Sequence, residues 1–319
     1  MSSAEAVPPG LERAVREALA GAEPADQGTR ADVPEPLNFR AVSGGCIANA
    51  LRVSAPGRSS AFLKWAPRGD PAAATFDAEA AGLEALAASG AVRVPGVLGR
   101  LEAEDGAGLL LEWLEPVRPG AGAWRALGRS LAALHGADPP LGGPGWSADN
   151  FIGTLPQSNE PASDWAEFWW ARRLQPQIEM AGAALGALAP RLDHLCEALP
   201  DLLSGIGEDG LSLLHGDLWS GNVLFTDAAD TGSAGDDCEG ALIDPSVYVG
   251  HREVDLAMAE LFGGFPPAFF EGYEGERPTL PGYADRRPVY QLYHLLVHVN
   301  LFGAGYLPGT ARALEQIGA

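Results

Sequence analysis

The sequence predicts an α+β chain in two parts: a small N-terminal lobe built on an antiparallel sheet with one helix, then a larger, mainly helical C-terminal lobe. Three observations lead there. The N-terminal part strings short strand-like runs around a single strong helix. The Pro- and Gly-rich stretch 116–122 closes that pattern. Beyond it, the apolar residues recur at helical spacing. A length of 319 residues suits one large domain or two modest lobes, and the boundary falls between 114 and 115, giving lobes 1–114 and 115–319.

In chain order, Leu11–Ala20 reads as a short amphipathic helix, and Gly21–Pro36, rich in Pro, Gly and Asp, as a loop. Leu37–Val42 and Leu51–Ser54 read as strands flanking Ser43–Ala50, a hairpin with a Gly-rich tip. Ala61–Trp65 is a third short strand. Ala72–Ala88, dominated by Ala and Leu, is a helix ending near Gly90. Val92–Leu101 and Gly108–Leu114 supply two more strands. The second part then gives helices over Trp124–His135, Trp165–Leu188 and Arg191–Leu203. The loop Pro139–Pro161 among them is long enough to suggest a function. The run Leu211–Leu214, the segment His215–Asn222 and a strand Val223–Phe225 lead to an acidic loop, Thr226–Gly240, and to a strand Ala241–Ile243 ending at Asp244. Helices follow over Val254–Phe262, Pro267–Tyr273, Val289–Phe302 and Ala311–Ile317.

Composition narrows the function classes. With 42 acidic and 21 basic residues the net charge is −21, a field that repels nucleic acid and anionic membrane surfaces but tolerates cationic substrates. An acidic surface adapted as a whole explains the same charge without any partner. No apolar run is long enough for a membrane span and no secretory leader is visible, so the expectation is a cytoplasmic protein. Three cysteines, Cys46, Cys196 and Cys238, are too few and too scattered for a disulfide framework or a zinc site. Of the 21 basic residues only Lys64 is lysine. Its survival amid arginine marks it for work that suits a compact ammonium better than a broad guanidinium.

The chemistry-bearing residues agree on phosphoryl transfer. That reaction needs held phosphates, coordinated Mg²⁺ and an aimed acceptor hydroxyl relieved of its proton. In His215–Asn222, Asp217 is followed five residues later by Asn222, the interval at which kinases place a catalytic carboxylate and a metal-binding amide oxygen. Asp244, at the end of an apolar strand, supplies a second carboxylate for the metal. His215 reads as a neutral brace for the loop. Trp219 reads as a ring facing the substrate, with a plug for the loop base as the alternative. Lys64 lies on the strand after the Gly loop, where it would meet the nucleotide phosphates, with Glu79 preferred over Glu84 as its ion-pair partner. Gly44 and Gly45 would cover the phosphates, and the backbone of Glu112, Trp113 and Leu114 would meet the adenine.

The run Leu214–Asn222 resembles the signature of the fructosamine kinase (ketosamine-3-kinase) family, and the likeness extends along most of the chain. It is carried by Gly45–Ile47, Phe76–Glu79, Leu83–Leu86, Gly153–Asn159 with Asp164–Trp165, Ile243–Pro245 with Tyr248–His251, Met258–Phe270 and His298–Gly303. The resemblance implies a protein-kinase-like two-lobe fold and ATP- and Mg²⁺-dependent phosphorylation of the O3 hydroxyl of ketosamines. Acceptors would be small-molecule ketosamines or glycated protein lysines, and breakdown of the 3-phosphate would free the amine. It further implies Asp217 as base, Asn222 and Asp244 on Mg²⁺, and Trp219, His298 and Asn300 as substrate contacts. Cys46 matches the family's Gly-loop cysteine, which implies a monomer or a redox-linked homodimer. Ile243-Asp244-Pro245 replaces the Asp-Phe-Gly of protein kinases, so no phosphorylation switch is expected. Aminoglycoside or choline-type phosphotransferases share the Asp, Asn, Asp set but not the Leu218-Trp219-Ser220 extension. An ATP-binding pseudokinase scaffold is the reading from another class, and the intact Asp217, Asn222, Asp244 and Lys64 argue against it.

Overall fold

The computed structural model describes residues 6–22, 36–42, 49–204, 206, 210–227 and 235–318. The Gly-loop residues Gly44, Gly45 and Cys46 lie outside them. Contacts divide the chain into two compact units, Met1–Ala85 with Val94–Glu115, and Leu86–Arg93 with Pro116–Ala319.

The first unit contains helix α1 (Pro9–Ala22), strands β1 (Asn38–Ala41), β2 (Asn49–Ser54) and β3 (Ala61–Pro67), helix α2 (Ala73–Ala88), and strands β4 (Val97–Ala103) and β5 (Gly106–Glu112). The five strands form one antiparallel sheet in the order β1-β2-β3-β5-β4. Side chains alternate across a strand. Leu51, Val53, Ala61, Leu63 and Trp65 therefore share one face, packed with Leu11, Val15 and Leu19 of α1. Lys64, between Leu63 and Trp65, falls on the opposite face. The start of α1 is tied down by Asp105, in the turn between β4 and β5, which accepts the N–H groups of Gly10 (2.7 Å) and Leu11 (3.1 Å). The strand expected from Val92 begins only at Val97, because the carbonyl of Arg93 instead accepts the N–H of Leu242 within the second unit.

The second unit runs α3 (Ala121–Gly136), β6 (Asn150–Ile152), β7 (Leu155–Gln157), α4 (Trp165–Phe168), a π-helical turn Trp169–Leu174, α5 (Gln175–Ala181), a 3₁₀ stretch Gly182–Leu188 and α6 (Ala189–Leu202). It continues through β8 (Ser212–Leu214), a 3₁₀ turn Ser220–Asn222, β9 (Val223–Asp227), β10 (Cys238–Leu242), β11 (Tyr248–Gly250), α7 (Glu253–Leu261), α8 (Pro267–Glu276), α9 (Tyr283–Phe302) and α10 (Leu307–Ile317). Three two-stranded ribbons, β6–β7, β8–β11 and β9–β10, punctuate the helices.

Several expectations are corrected here. The helix expected over Trp165–Leu188 is broken, first by the π turn and then at Gly182 and Gly186, whose φ values of 45° and 52° leave the right-handed helical region. The loop Pro139–Pro161 carries the β6–β7 hairpin. Helix α9 starts at Tyr283 instead of Val289, because Pro288 lies early in the helix and does not mark its beginning. Strands β9 and β10 take up both ends of the predicted acidic loop. No helix among the described residues is long and apolar enough to cross a membrane.

Helix α9 runs through the core of this unit. Val289, Tyr290, Leu292 and Leu296 are fully buried, packed with Trp169, Tyr248, Val254 and Leu314. His294 is buried with them, and neither of its ring nitrogens has a hydrogen-bond partner among the described residues. Burial, with a smaller push from His298, lowers its pKa from 6.5 to about 3. Such a residue must be neutral in the folded state, whereas the unfolded chain protonates it near its ordinary value. Stability is therefore full above pH 6.5 and is lost as the pH falls toward 3. His294→Phe removes that linkage. In urea melts between about pH 4 and pH 6, the variant's unfolding free energy should depend less on pH, by about 1.4 kcal/mol per unit. An unchanged slope would show that His294 is not the titrating group.

Candidate active site

The second unit gathers Asp217, Asn222 and the strand leading to Asp244 around one tightly turned loop. Strand β8 delivers His215, and the loop is held from three sides. From α7, the buried carboxylate of Asp255 accepts the N–H groups of His215 (2.8 Å) and Gly216 (2.9 Å), and contacts His135 Nε2 at 3.2 Å. Burial alone would raise the Asp255 pKa, but the His135 bond and charge, His215 and the Gly216 N–H outweigh it and hold the carboxyl below its usual value. From the segment after β10, the Ser246 N–H donates to the His215 carbonyl at 2.8 Å. Gly216 has φ 84°, and a Cβ there would collide with the Ser246 carbonyl, so only glycine fits.

His215 is the third brace. Its Nε2 lies 2.9 Å from the Ile243 carbonyl, and its Nδ1 lies 3.3 Å from the Asp217 N–H. These partners require a neutral ring with the proton on Nε2. Burial lowers its pKa in the same sense.

Within the loop, Asn222 Nδ2 donates to the Asp217 carbonyl (2.9 Å) and to Asp217 Oδ2 (3.1 Å). The amide orientation is thereby set, and Asn222 Oδ1 has no hydrogen-bond partner among the described residues. The Asn222 carbonyl accepts the Ile243 N–H at 3.0 Å, which brings the chain before Asp244 alongside. Asp244 itself has φ 54°, the one non-glycine positive φ among the described residues. Asp tolerates this region better than most side chains, yet the conformation still costs about 1 kcal/mol or more and must be held by its surroundings. They hold it on both sides. Before it stand the Ile243 contacts. After it, Asn150 donates to the Val247 carbonyl (2.8 Å), and Gln157 donates to the Ser246 carbonyl (3.3 Å) and to Asn150 Oδ1 (2.7 Å). Tyr293 of α9 closes this chain by donating to Gln157 Oε1 at 2.6 Å.

Desolvation pushes the Asp217 pKa up to about 7; the Asn222 hydrogen bond opposes the rise, while the charges of Asp244 and Asp255 add to it. A half-buried carboxyl titrating near neutrality, beside a carboxylate and an orphaned amide oxygen, suits proton acceptance next to a bound cation. The available donors are all oxygen, which fits Mg²⁺ better than a transition metal. No cluster of three or more His, Cys, Asp or Glu forms a ready-made metal cage among the described residues.

In the first unit, Lys64 Nζ contacts both carboxylate oxygens of Glu79, at 2.7 and 2.9 Å. Both side chains are largely covered, at 16% and 12% exposure. Glu84, the alternative partner, binds Arg100 at 2.7 Å instead. Glu112 closes β5 and accepts the Gly96 N–H at 3.0 Å. Trp113 lies under the guanidinium of Arg52 at 4.4 Å and donates to Glu115 at 2.8 Å, while Leu114 is buried.

The remaining sequence-derived contacts separate. Trp219 is 41% exposed, its indole lying across Gly221, where a Cβ would strike the ring. His298 is half-buried among Phe262, Tyr306 and Phe302. Asn300 does not join them. Two residues on in a helix point to nearly opposite sides, and its amide donates to the carbonyl and Oε1 of Gln177 on α5 at 3.0 and 2.8 Å. Asn300 fastens α9 to α5. Sequence reasoning missed Asp255, Asn150, Gln157 and Tyr293. For Asp255 a signal existed, since it is one of two acidic residues in the otherwise apolar start of α7, where Glu253 also pairs with Arg286 at 2.7 Å.

With that geometry in place, comparison with known proteins is specific. The family model for fructosamine kinase matches residues 27–319. A Synechocystis protein assigned as a ketoamine kinase is 40% identical over 287 residues, covering 87% of this chain and 89% of its own. The chloroplastic protein-ribulosamine 3-kinase of Oryza sativa subsp. japonica is 35% identical over 279 residues, covering 86% and 77%. The crystal structure of a Haemophilus somnus protein assigned as a fructosamine-3-kinase superposes with a TM-score of 0.81 at 25% identity, over 97% of this chain and 98% of that one. The shared architecture is the protein-kinase-like fold.

Proposed function

This chain belongs to the fructosamine kinase family, and from that premise we propose that it transfers the γ-phosphoryl group of ATP to the O3 hydroxyl of a ketosamine. It is an ATP-dependent phosphotransferase. The observation that carries the reading is the Asp217–Asn222 pair, clamped by His215 and Asp255 on a loop that also fixes the chain before Asp244.

On this reading Asp217 Oδ takes the proton of the O3 hydroxyl as the oxygen bonds to the γ-phosphorus; the bond from that phosphorus to the bridging oxygen breaks and ADP leaves. Asn222, its amide N–H spent on Asp217, offers Oδ1 to the cation, and Asp244 offers its carboxylate. Bound there, Mg²⁺ would neutralise charge on the phosphates. Lys64, steadied by Glu79, pairs with the phosphates; Gly44 and Gly45 cover them, and the backbone of Glu112–Leu114 receives the adenine. Residues 1–114 serve nucleotide binding and 115–319 serve catalysis and the acceptor. Trp219 and His298 meet the substrate, which is a small ketosamine or a glycated lysine.

Lys64→Arg tests the nucleotide half. A guanidinium is wider and differently hydrated than the compact ammonium that this largely covered position holds beside Glu79. The expected result is a fall in kcat/KM for ATP of about a hundredfold or more with an unchanged melting temperature. Wild-type kinetics would remove Lys64 from the site. The reaction itself is tested by ADP release with ATP and Mg²⁺ against fructosyl-, ribulosyl- and erythrulosyl-lysine, an aminoglycoside and choline. Turnover confined to the last two would refute the ketosamine reading.

A further inference from the structure

A cavity of about 330 Å³ opens between the C-terminal end of α7, the middle of α9 and α10. Its walls include Leu261, Phe262, Leu295 and Tyr306, with Gln291, Arg312 and Gln316 as polar side chains. Asp217, Asn222 and Asp244 do not line it. The volume lies at the small end of organic-ligand sites, enough for an amino-acid-sized group.

Two contacts link this cavity to the catalytic loop. Phe262 and Tyr306 belong also to the ring cluster on His298, at centroid distances of 4.5 and 4.9 Å, with Phe302 at 5.4 Å. Phe262 is 40% and Phe302 58% exposed, so the cluster presents open ring surface. Beyond Phe262 the chain turns back, and Gly264 packs directly against Ser220, the residue after Trp219. Catalytic loop, ring cluster and cavity are therefore successive neighbours in one unit.

The net charge of −21 disfavours anions generally. Nearby cations are neutralised: Arg287 pairs with Glu260 at 2.6 Å and Arg286 with Glu253 at 2.7 Å. Arg312 is exposed at the cavity and has no carboxylate partner among the described residues. Gln291 spends its amide N–H on the Ala257 carbonyl at 3.0 Å. Arg312 is thus the charged side chain among the lining residues, beside the apolar Leu261, Phe262 and Leu295, a combination that suits a carboxylate on an aliphatic stem.

We propose that the cavity receives the amino-acid end of the acceptor, with Arg312 pairing to its free α-carboxylate, so that the enzyme prefers ketosamines of free amino acids to protein-bound adducts. This rests on the ketosamine-kinase reading above. In a protein-bound lysine adduct the same carboxyl is a neutral peptide carbonyl and gives Arg312 no charge to meet. The aliphatic stem would lie on Leu261, Leu295 and the rings of Phe262 and Tyr306.

The test compares two acceptors, Nε-ribulosyl-lysine and its α-carboxamide, in the wild type, Arg312→Gln and Arg312→Lys. The wild type should favour the free carboxylate about tenfold in kcat/KM, chiefly through KM, the effect of one partly solvated charge-assisted pair. In Arg312→Gln the two acceptors should converge, and Arg312→Lys should restore part of the preference. Equal efficiencies in the wild type, or a preference that survives Arg312→Gln, would overturn the assignment while leaving the ketosamine reading intact. Failure of the wild type to phosphorylate either acceptor would overturn both.

Discussion

Asp217→Asn is expected to lower kcat by about 10²–10⁴ while leaving the fold and ATP binding in place. The amide is nearly isosteric and can still accept the hydrogen bond from Asn222 Nδ2 that Asp217 Oδ2 receives at 3.1 Å. It also removes a charge that burial disfavours at this position, so thermal stability should not fall. What is lost is the ability to take a proton from the acceptor hydroxyl. The informative pattern is a collapse of kcat with the ATP dissociation constant, read by isothermal titration, within a few-fold of wild type. A variant that kept its kcat would move the proton-accepting role elsewhere and leave Asp217 as a loop-forming residue.

The second large effect is expected at a residue that touches no substrate. Asp255→Ala strips the acceptor from the N–H groups of His215 and Gly216 and the partner from His135, all within the buried core. Each unpaired buried donor costs about 1–3 kcal/mol, so a total of roughly 3–5 kcal/mol is expected. Against a typical stability of about 5–15 kcal/mol this lowers the melting temperature by about 10 °C. Turnover should fall even at temperatures where the variant is folded, because the same two N–H bonds set the path of the loop that carries Asp217. Asp255→Asn, keeping one acceptor oxygen, should fall between. A melting temperature and kcat both at wild-type values in Asp255→Ala would contradict this account of the loop.

The chemistry was legible in the sequence wherever it is local. Asp217 and Asn222 lie five residues apart on one turn, and their hydrogen bonds follow from that interval. Lys64 and Glu79 were legible for a different reason: a strand and the next helix can meet on only one sheet face, and the lysine has no rival. Asp255 was legible only as an acidic residue in the otherwise apolar start of α7; the loop N–H groups it holds lie about 40 residues earlier, and nothing local to α7 identifies them. The short strands β6, β7, β8 and β11, three residues each, are too brief to show an alternating pattern. The helix after Trp165 is interrupted by the π turn and again at Gly182 and Gly186, whose positive φ values are fixed by backbone geometry that the residue pattern does not announce. Asn300 is the converse case. It was grouped with His298 by motif, whereas helical periodicity alone places the two on different faces.

The shape of the loop also explains why residues remote in sequence converge on Asp244. Its left-handed φ is fixed by backbone hydrogen bonds before it and by Asn150 and Gln157 after it. If Asp244 holds the metal as proposed, a carboxylate kept in this costly conformation is oriented before any ligand arrives, which is how a site avoids reorganising during the reaction.

The central claim, transfer to the ketose O3 of a glycated amine, is tested most directly by two-dimensional ¹H–³¹P NMR of the product formed from ribulosyl-lysine, ATP and Mg²⁺. The account predicts a new phosphorus resonance coupled to the proton on carbon 3 of the sugar, followed by release of free lysine as the adduct breaks down. A phosphorus coupled to any other sugar position, or ATP hydrolysis with no phosphorylated adduct, would contradict it.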